Sequence, residues 1–227
     1  MRQVTPHIRL VVVLAAMLAW CGLLIAGRTL WTWSFDYAFL VWNLGLAIIP
    51  IILSSLIVWQ AHWISRVLLT PLWLIFLPNA PYMITDFIHL RTLDSGPLWL
   101  DVLLLASCAG TGLVVGYFSV MQIQSMFRSR LGWLVAIGAL FLSGFGIYLG
   151  RFLRWRSVDL FRDPFGLVID VSERLFNPLL HYRTWGVTLG FGVLLCLGYL
   201  VFRAAGWANQ TLQATAAPLG SRAASEI

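Results

Sequence analysis

Apolar residues run along this chain in six long blocks separated by short polar breaks. The blocks fall at about residues 10–27, 37–59, 67–84, 98–121, 131–150 and 184–202. Each is long enough, at 1.5 Å per residue, to cross a hydrocarbon layer of about 30 Å as an α-helix. A soluble domain of this size needs a charged surface, which these blocks do not offer, so lipid is the expected solvent. The first block exceeds the usual signal-peptide core of about 7–15 residues, and no small-residue cleavage site follows it. It reads as a retained first span, with Trp31 and Trp33 as interface anchors after it. The pattern predicts an all-α membrane protein, a bundle of six transmembrane helices in a single domain over residues 1–203. The Ala-, Gly- and Ser-rich residues 204–227 are expected to be a disordered tail.

The interruptions matter as much as the blocks. Asn43 and Pro50 interrupt the second block, and Pro71, Pro78 and Pro81 lie in the third. From Val67, about eleven residues reach Pro78, or roughly 16 Å of helix, which puts the double-proline break inside the hydrocarbon. A broken third helix is predicted at residues 77–80, with Asn79 placed to cap the restart. Backbone freed at that depth must be buried in protein or line a cavity. Between blocks five and six, Asp163-Pro164 is a helix start and Asn177-Pro178 a stop. The polar positions Asp170, Glu173, Arg174 and Asn177 oppose the apolar positions Phe165, Val168, Ile169 and Phe176. A short amphipathic helix is expected there, lying in the membrane interface or packed on the bundle. Glycines four apart, at 112/116, 146/150 and 186/190, favour close helix packing and leave a homo-oligomer open.

Composition sharpens this picture. Hydrophobic residues make up 60% of the chain, charged residues only 11%, and mean hydropathy is +0.85, too little charge for a soluble surface. Net charge is +6 and every basic residue is arginine, which excludes a lysine nucleophile or Schiff base. The arginines sit at span ends rather than in one exposed patch, so no nucleic-acid partner is expected; the partner is the lipid bilayer. Cys21, Cys108 and Cys196 lie inside apolar blocks without metal-ligand spacing and read as small buried hydrophobes. Six spans put both termini on one side, and arginines near the termini and the loops at Arg66 and Arg128/Arg130 favour a cytoplasmic placement. The segment between spans five and six objects: it carries Arg151, Arg154, Arg156, Arg162, Arg174 and Arg183 on the opposite face.

That objection points to the candidate chemistry. Asp86 and His89 are three residues apart and share a helix face, and Asp101 opens span four at the same end. These three are the candidate catalytic residues. A metal on His89 and the two aspartates is conceivable, but the set lacks the histidine spacing of a metal motif, and ion pairing is the stronger reading. Ser143, Gly146, Gly150 and Arg154 form a stripe that ends in a guanidinium, a planar donor fork suited to phosphate or carboxylate. Asn79, Tyr82, Arg151, Arg154 and Asp159 are therefore the candidate anionic-ligand residues. Snorkelling at a span end is the bland alternative for the arginines. No cofactor is indicated: there is no P-loop, no dinucleotide-binding glycine pattern and no GxSxG nucleophile.

Two motifs carry a family resemblance. Leu77-Pro78-Asn79-Ala80-Pro81-Tyr82 is followed by Thr85-Asp86 and His89-Leu90, and Gly150-Arg151-Phe152-Leu153-Arg154-Trp155 by Ser157 and Asp159. With these the chain resembles an uncharacterised family of bacterial multi-pass membrane proteins, a domain of unknown function, from span two to span six. It departs at Arg156, where the family pattern carries Asn. The resemblance implies a bacterial inner-membrane location and supplies no reaction. Three functions stay open. The favoured one is binding or processing of an anionic, lipid-linked substrate at the outer face. The alternatives are a structural or accessory subunit and a small transporter.

Overall fold

A computed structural model describes residues 4–91, 96–155, 162–177 and 180–216. The helices are α1 (Val4–Thr32), α2 (Phe39–Trp59), α3 (Trp63–Phe76), α4 (Asn79–Tyr82), a 3-10 helix (Met83–Arg91), α5 (Leu98–Gln124), α6 (Ser129–Phe152), α7 (Pro164–Phe176) and α8 (Tyr182–Ala216). No strand occurs among the described residues. Six helical segments are long and apolar enough to span a membrane, and the third of them is Trp63–Leu90 with the break inside it. The protein is a multi-pass membrane bundle.

The centre is α5, half of whose apolar window is buried; α1, at the periphery, is buried over only 11% of its window. α5 touches α1, α2, α4, the 3-10 helix and α6, while α8 packs along α6. Two apolar cores share α5. One joins Cys21, Leu24 and Ile25 of α1 to Leu40 and Leu44 of α2 and Leu104 and Cys108. The other joins Trp73, Tyr117, Leu140, Leu195 and Tyr199 from α3, α5, α6 and α8.

The break comes from the prolines step by step. Pro78 and Pro81 have no N–H, so the carbonyls of Leu74 and Leu77 lose their ordinary i+4 partners. Ala80 N–H turns back to Leu77 O at 3.2 Å, an i→i−3 bond. That leaves the Phe76 carbonyl, and the Asn79 side-chain amide donates to it at 3.0 Å. Asn79 thus closes the end of the first half, while the N-cap of the restart, Pro78, has no side-chain cap. Leu77, Pro78 and Met83 keep right-handed dihedrals, so the helix continues in direction while its bonding changes. Beyond Tyr82 it tightens to three residues per turn. Ala80, Met83 and Asp86, each three residues on from the last, are buried, and Pro81 with them.

Glycines let this segment sit close to its neighbours. A Cβ at Gly112 would strike the Ala80 carbonyl oxygen, and one at Gly146 would strike the Pro78 ring. At Gly116 a Cβ would lie 3.1 Å from the Ala80 Cβ, and at Gly150 3.0 Å from the Tyr82 ring. Two of the three glycine pairs therefore seat the break between α5 and α6. The third pair, Gly186/Gly190, meets nothing within 4 Å. α8 packs on α6 elsewhere, where a Cβ at Gly144 would come within 2.6 Å of Thr188 O.

The helix expected between spans five and six is α7. Asp163 caps it by accepting from Gly166 N–H at 2.9 Å, and Pro164 is its first residue. Its polar edge turns to the bundle: Asp170 accepts from Trp155 Nε1 at 2.7 Å and pairs with Arg174 at 3.3 Å. Its apolar face points away from the bundle, with Phe165, Val168, Ile169 and Phe176 all more than 60% exposed. In a chain with six lipid-crossing helices, such an outward apolar face is a face for lipid.

Candidate functional site at the polar end of the bundle

The C-terminal ends of α1, the third span and α6 meet the N-terminal ends of α2, α5 and α8 at one end of the bundle. Two ion pairs lie there, each joining helices far apart in sequence. Arg28, one turn inside the end of α1, holds Asp101 in the first turn of α5 through Nε–Oδ1 at 2.6 Å and a longer Nη2–Oδ2 contact at 3.5 Å. Both side chains are sealed, at 1% and 3% exposure. Arg28 also donates to the Thr32 hydroxyl, and its guanidinium lies 5.2 Å from the Tyr37 ring centre. A Cβ at Gly96 would come within 2.8 Å of the guanidinium carbon, so a residue without a side chain is needed opposite it. Burial, then the Asp101 charge, pushes the Tyr37 phenol up to about 12; it stays neutral at any physiological pH.

The second pair organises the break. Asp86, 1% exposed, accepts from Arg151 Nη2 and from Asn43 Nδ2 at 3.0 Å. Arg151 also reaches the Thr85 hydroxyl from Nε at 2.8 Å and Nη2 at 2.6 Å, and stands 4.6 Å above the Tyr82 ring. One guanidinium therefore ties α6 to Tyr82, Thr85 and Asp86 of the third span, and through Asp86 to α2. Two charges removed from water need this much compensation, because an unpaired buried carboxylate is far costlier than a paired one.

The remaining candidates divide. His89 shares the Asp86 edge of the 3-10 helix and packs on Phe39 at 4.7 Å between ring centres. Asp101 and Asp86 lie at the same end but each is held by its own arginine. Among the described residues no three His, Cys, Asp or Glu side chains form a metal-sized cluster. Arg154 is exposed, just past the end of α6, and has a left-handed backbone, φ 63°. Trp155 N–H returns to Leu149 O at 3.1 Å, so this left-handed residue turns the chain off the helix toward α7. Asp159 and Arg156 lie outside the described residues.

Asn79 and Tyr82 line a cavity of about 490 Å³ between α2, the break and α6. Its walls are mostly aliphatic and aromatic, with Asn43 as the third polar contributor from the spans and Trp155 and Leu167 at its α7 end. Sequence reasoning missed Arg28 as a structural charge, the role of Asn43, and this cavity. Arg28 carried a signal: an arginine with a threonine four residues on, still inside helical spacing.

A family model described as "Protein of unknown function (DUF1361)" matches residues 42–197. No curated protein matches the chain, and no solved structure does.

Proposed function

This chain belongs to the DUF1361 family, whose model runs from the second span to the sixth, and on that premise we propose that it binds an anionic, lipid-linked substrate at the outer face of a bacterial inner membrane, with both termini in the cytoplasm. The observation that carries the reading is the division of the arginines at the polar end into buried, paired ones and exposed ones that form no ion pair with a described carboxylate. At the polar end the two buried acids are spent, Asp86 on Arg151 and Asp101 on Arg28, and the half-buried Asp170 pairs with Arg174; Asp36, Asp163 and Glu173 are the other described acids there. Arg154, Arg162 and Arg183 are exposed there and pair with no carboxylate among the described residues. Exposed guanidiniums beside a membrane surface attract phosphate and carboxylate. In this reading Arg154 contacts the anionic group, while Arg151 positions Tyr82 and the break behind it.

Arg154 also offers a clean test. Its left-handed backbone favours glycine, so Arg154→Gly removes the guanidinium and relieves strain together. Binding of phosphatidylglycerol and phosphatidylcholine to the purified protein, read by native mass spectrometry, compares the two headgroups. The expected result is a preference for phosphatidylglycerol that falls about tenfold in Arg154→Gly, the loss of one charge-assisted contact of roughly 1.5 kcal/mol, with thermal stability unchanged or raised. No preference in the native protein overturns the reading. A structural or accessory subunit is the second reading; the complete internal pairing of Asp86 and Asp101 favours it, and it predicts no headgroup preference at all.

A further inference from the structure

We propose that the cavity between α2, the break and α6 holds the hydrocarbon chain of the bound amphiphile and is entered sideways from the bilayer. This deepens the proposed anionic-lipid function and rests on it only for the charge of the headgroup. The volume of about 490 Å³ is that of a ligand site, which typically spans about 300–1,000 Å³. Leu46, Leu74, Phe145 and Leu149 give its walls an apolar character that water does not fill. Its rim lies on the lipid-facing surface: Trp42 is 65% exposed, Leu142 46% and Ile75 37%. The solvent at such a mouth is lipid.

The cavity exists because of the prolines of the third span and the glycines of α6. Gly146 and Gly150 form part of its wall, and the contacts they allow with Pro78 and Tyr82 bring the break to the α6 surface. Asn79 and Tyr82, three residues apart in α4, line the same space, joined by Asn43 from α2. The Tyr82 hydroxyl has no hydrogen-bond partner among the described residues. It suits an ester or amide carbonyl near the top of a chain. Above it, Trp155 and Leu167 close the cavity at the level of α7, held by the Trp155–Asp170 bond. Just past the end of α6 sits Arg154. A molecule with its chain in the cavity therefore carries its polar junction past Tyr82 and its headgroup to the arginines.

The test uses full-length protein in vesicles doped with a phospholipid bearing a photoactivatable diazirine on one acyl chain. The probe is made once with a phosphatidylglycerol and once with a phosphatidylcholine headgroup. Labelling should concentrate on residues 74–82 and 142–150, and drop several-fold there in Leu46→Trp and Leu149→Trp, which fill the space. Labelling of the lipid-facing residues of α1 and α8 in the same samples reports that the variants are folded and inserted, and should not change. Labelling spread evenly over all lipid-facing helices, or unaffected by either filling variant, overturns the proposal. Equal cavity labelling by both probes supports the chain site and removes the anionic reading. A preference for the phosphatidylglycerol probe with labelling outside the cavity does the reverse.

Discussion

Arg28 and Arg151 demonstrate why an arginine in this protein cannot be read from its position alone. Both stand at span ends, where snorkelling to the headgroups is the ordinary behaviour. Arg28 instead is 1% exposed and spends its fork on Asp101 and Thr32; Arg151 spends its own on Asp86 and Thr85. The sealed pair sets the sign of a stability experiment. Asp101→Asn or Arg28→Gln alone leaves a buried charge uncompensated and should lower stability by about 3–5 kcal/mol. Arg28→Met with Asp101→Leu removes both charges and should recover most of that. Chemical denaturation in detergent micelles measures it; additive losses in the double variant would mean that the pair is not coupled. The sequence displayed both partners, but they are 73 residues apart and no periodicity links them. The Asp86 and His89 alignment was legible for a different reason: a spacing of three puts side chains together in an α-helix and in a 3-10 helix alike.

At the scale of elements, the third span is the part that the others accommodate. Two prolines dictate a break, and the sequence alone places it at residues 77–80. The pitch beyond the break was not legible, since nothing in Met83–Arg91 distinguishes three residues per turn from 3.6; the tightened stretch packs on α5 and is held by the Arg151 tie. The glycines test this fit. Gly146→Ala drives a methyl into the Pro78 ring and should cost about 1–3 kcal/mol as an overpacked contact. Gly190→Ala meets open space and should be neutral or slightly stabilising, because alanine is the better helix former. Thermal unfolding of the two variants side by side decides it; equal effects would remove the packing argument. The six blocks themselves were plain from composition, because lipid-crossing helices must be apolar on nearly every face. The cavity was not, since it is made by three segments meeting and by the absence of side chains at two glycines.

For the whole molecule, the arginines of the segment after α6 pose one question. Arginine gathers on the cytoplasmic side of membrane proteins, so Arg154, Arg162 and Arg183 need a ligand only if their end of the bundle faces outward. With Arg28 and Arg151 consumed by buried pairs, the arginines left to set topology include Arg66, Arg128, Arg130 and Arg203 at the other end. The proposed function requires those four on the cytoplasmic side, with cytoplasmic termini and an outward polar end. Two single cysteines read the answer: Ser125→Cys in the α5–α6 loop and Glu173→Cys on α7, both exposed positions at opposite ends of the bundle. Cys21 and Cys108 are buried and Cys196 is half-buried within α8, so a membrane-impermeant maleimide should report the introduced thiols. The expected result on intact cells is labelling at Glu173→Cys and none at Ser125→Cys until the cells are opened. Labelling of Ser125→Cys from outside, with Glu173→Cys protected, would contradict it: the arginines would then be ordinary cytoplasmic topology signals, and the anionic-ligand site would lose its ground.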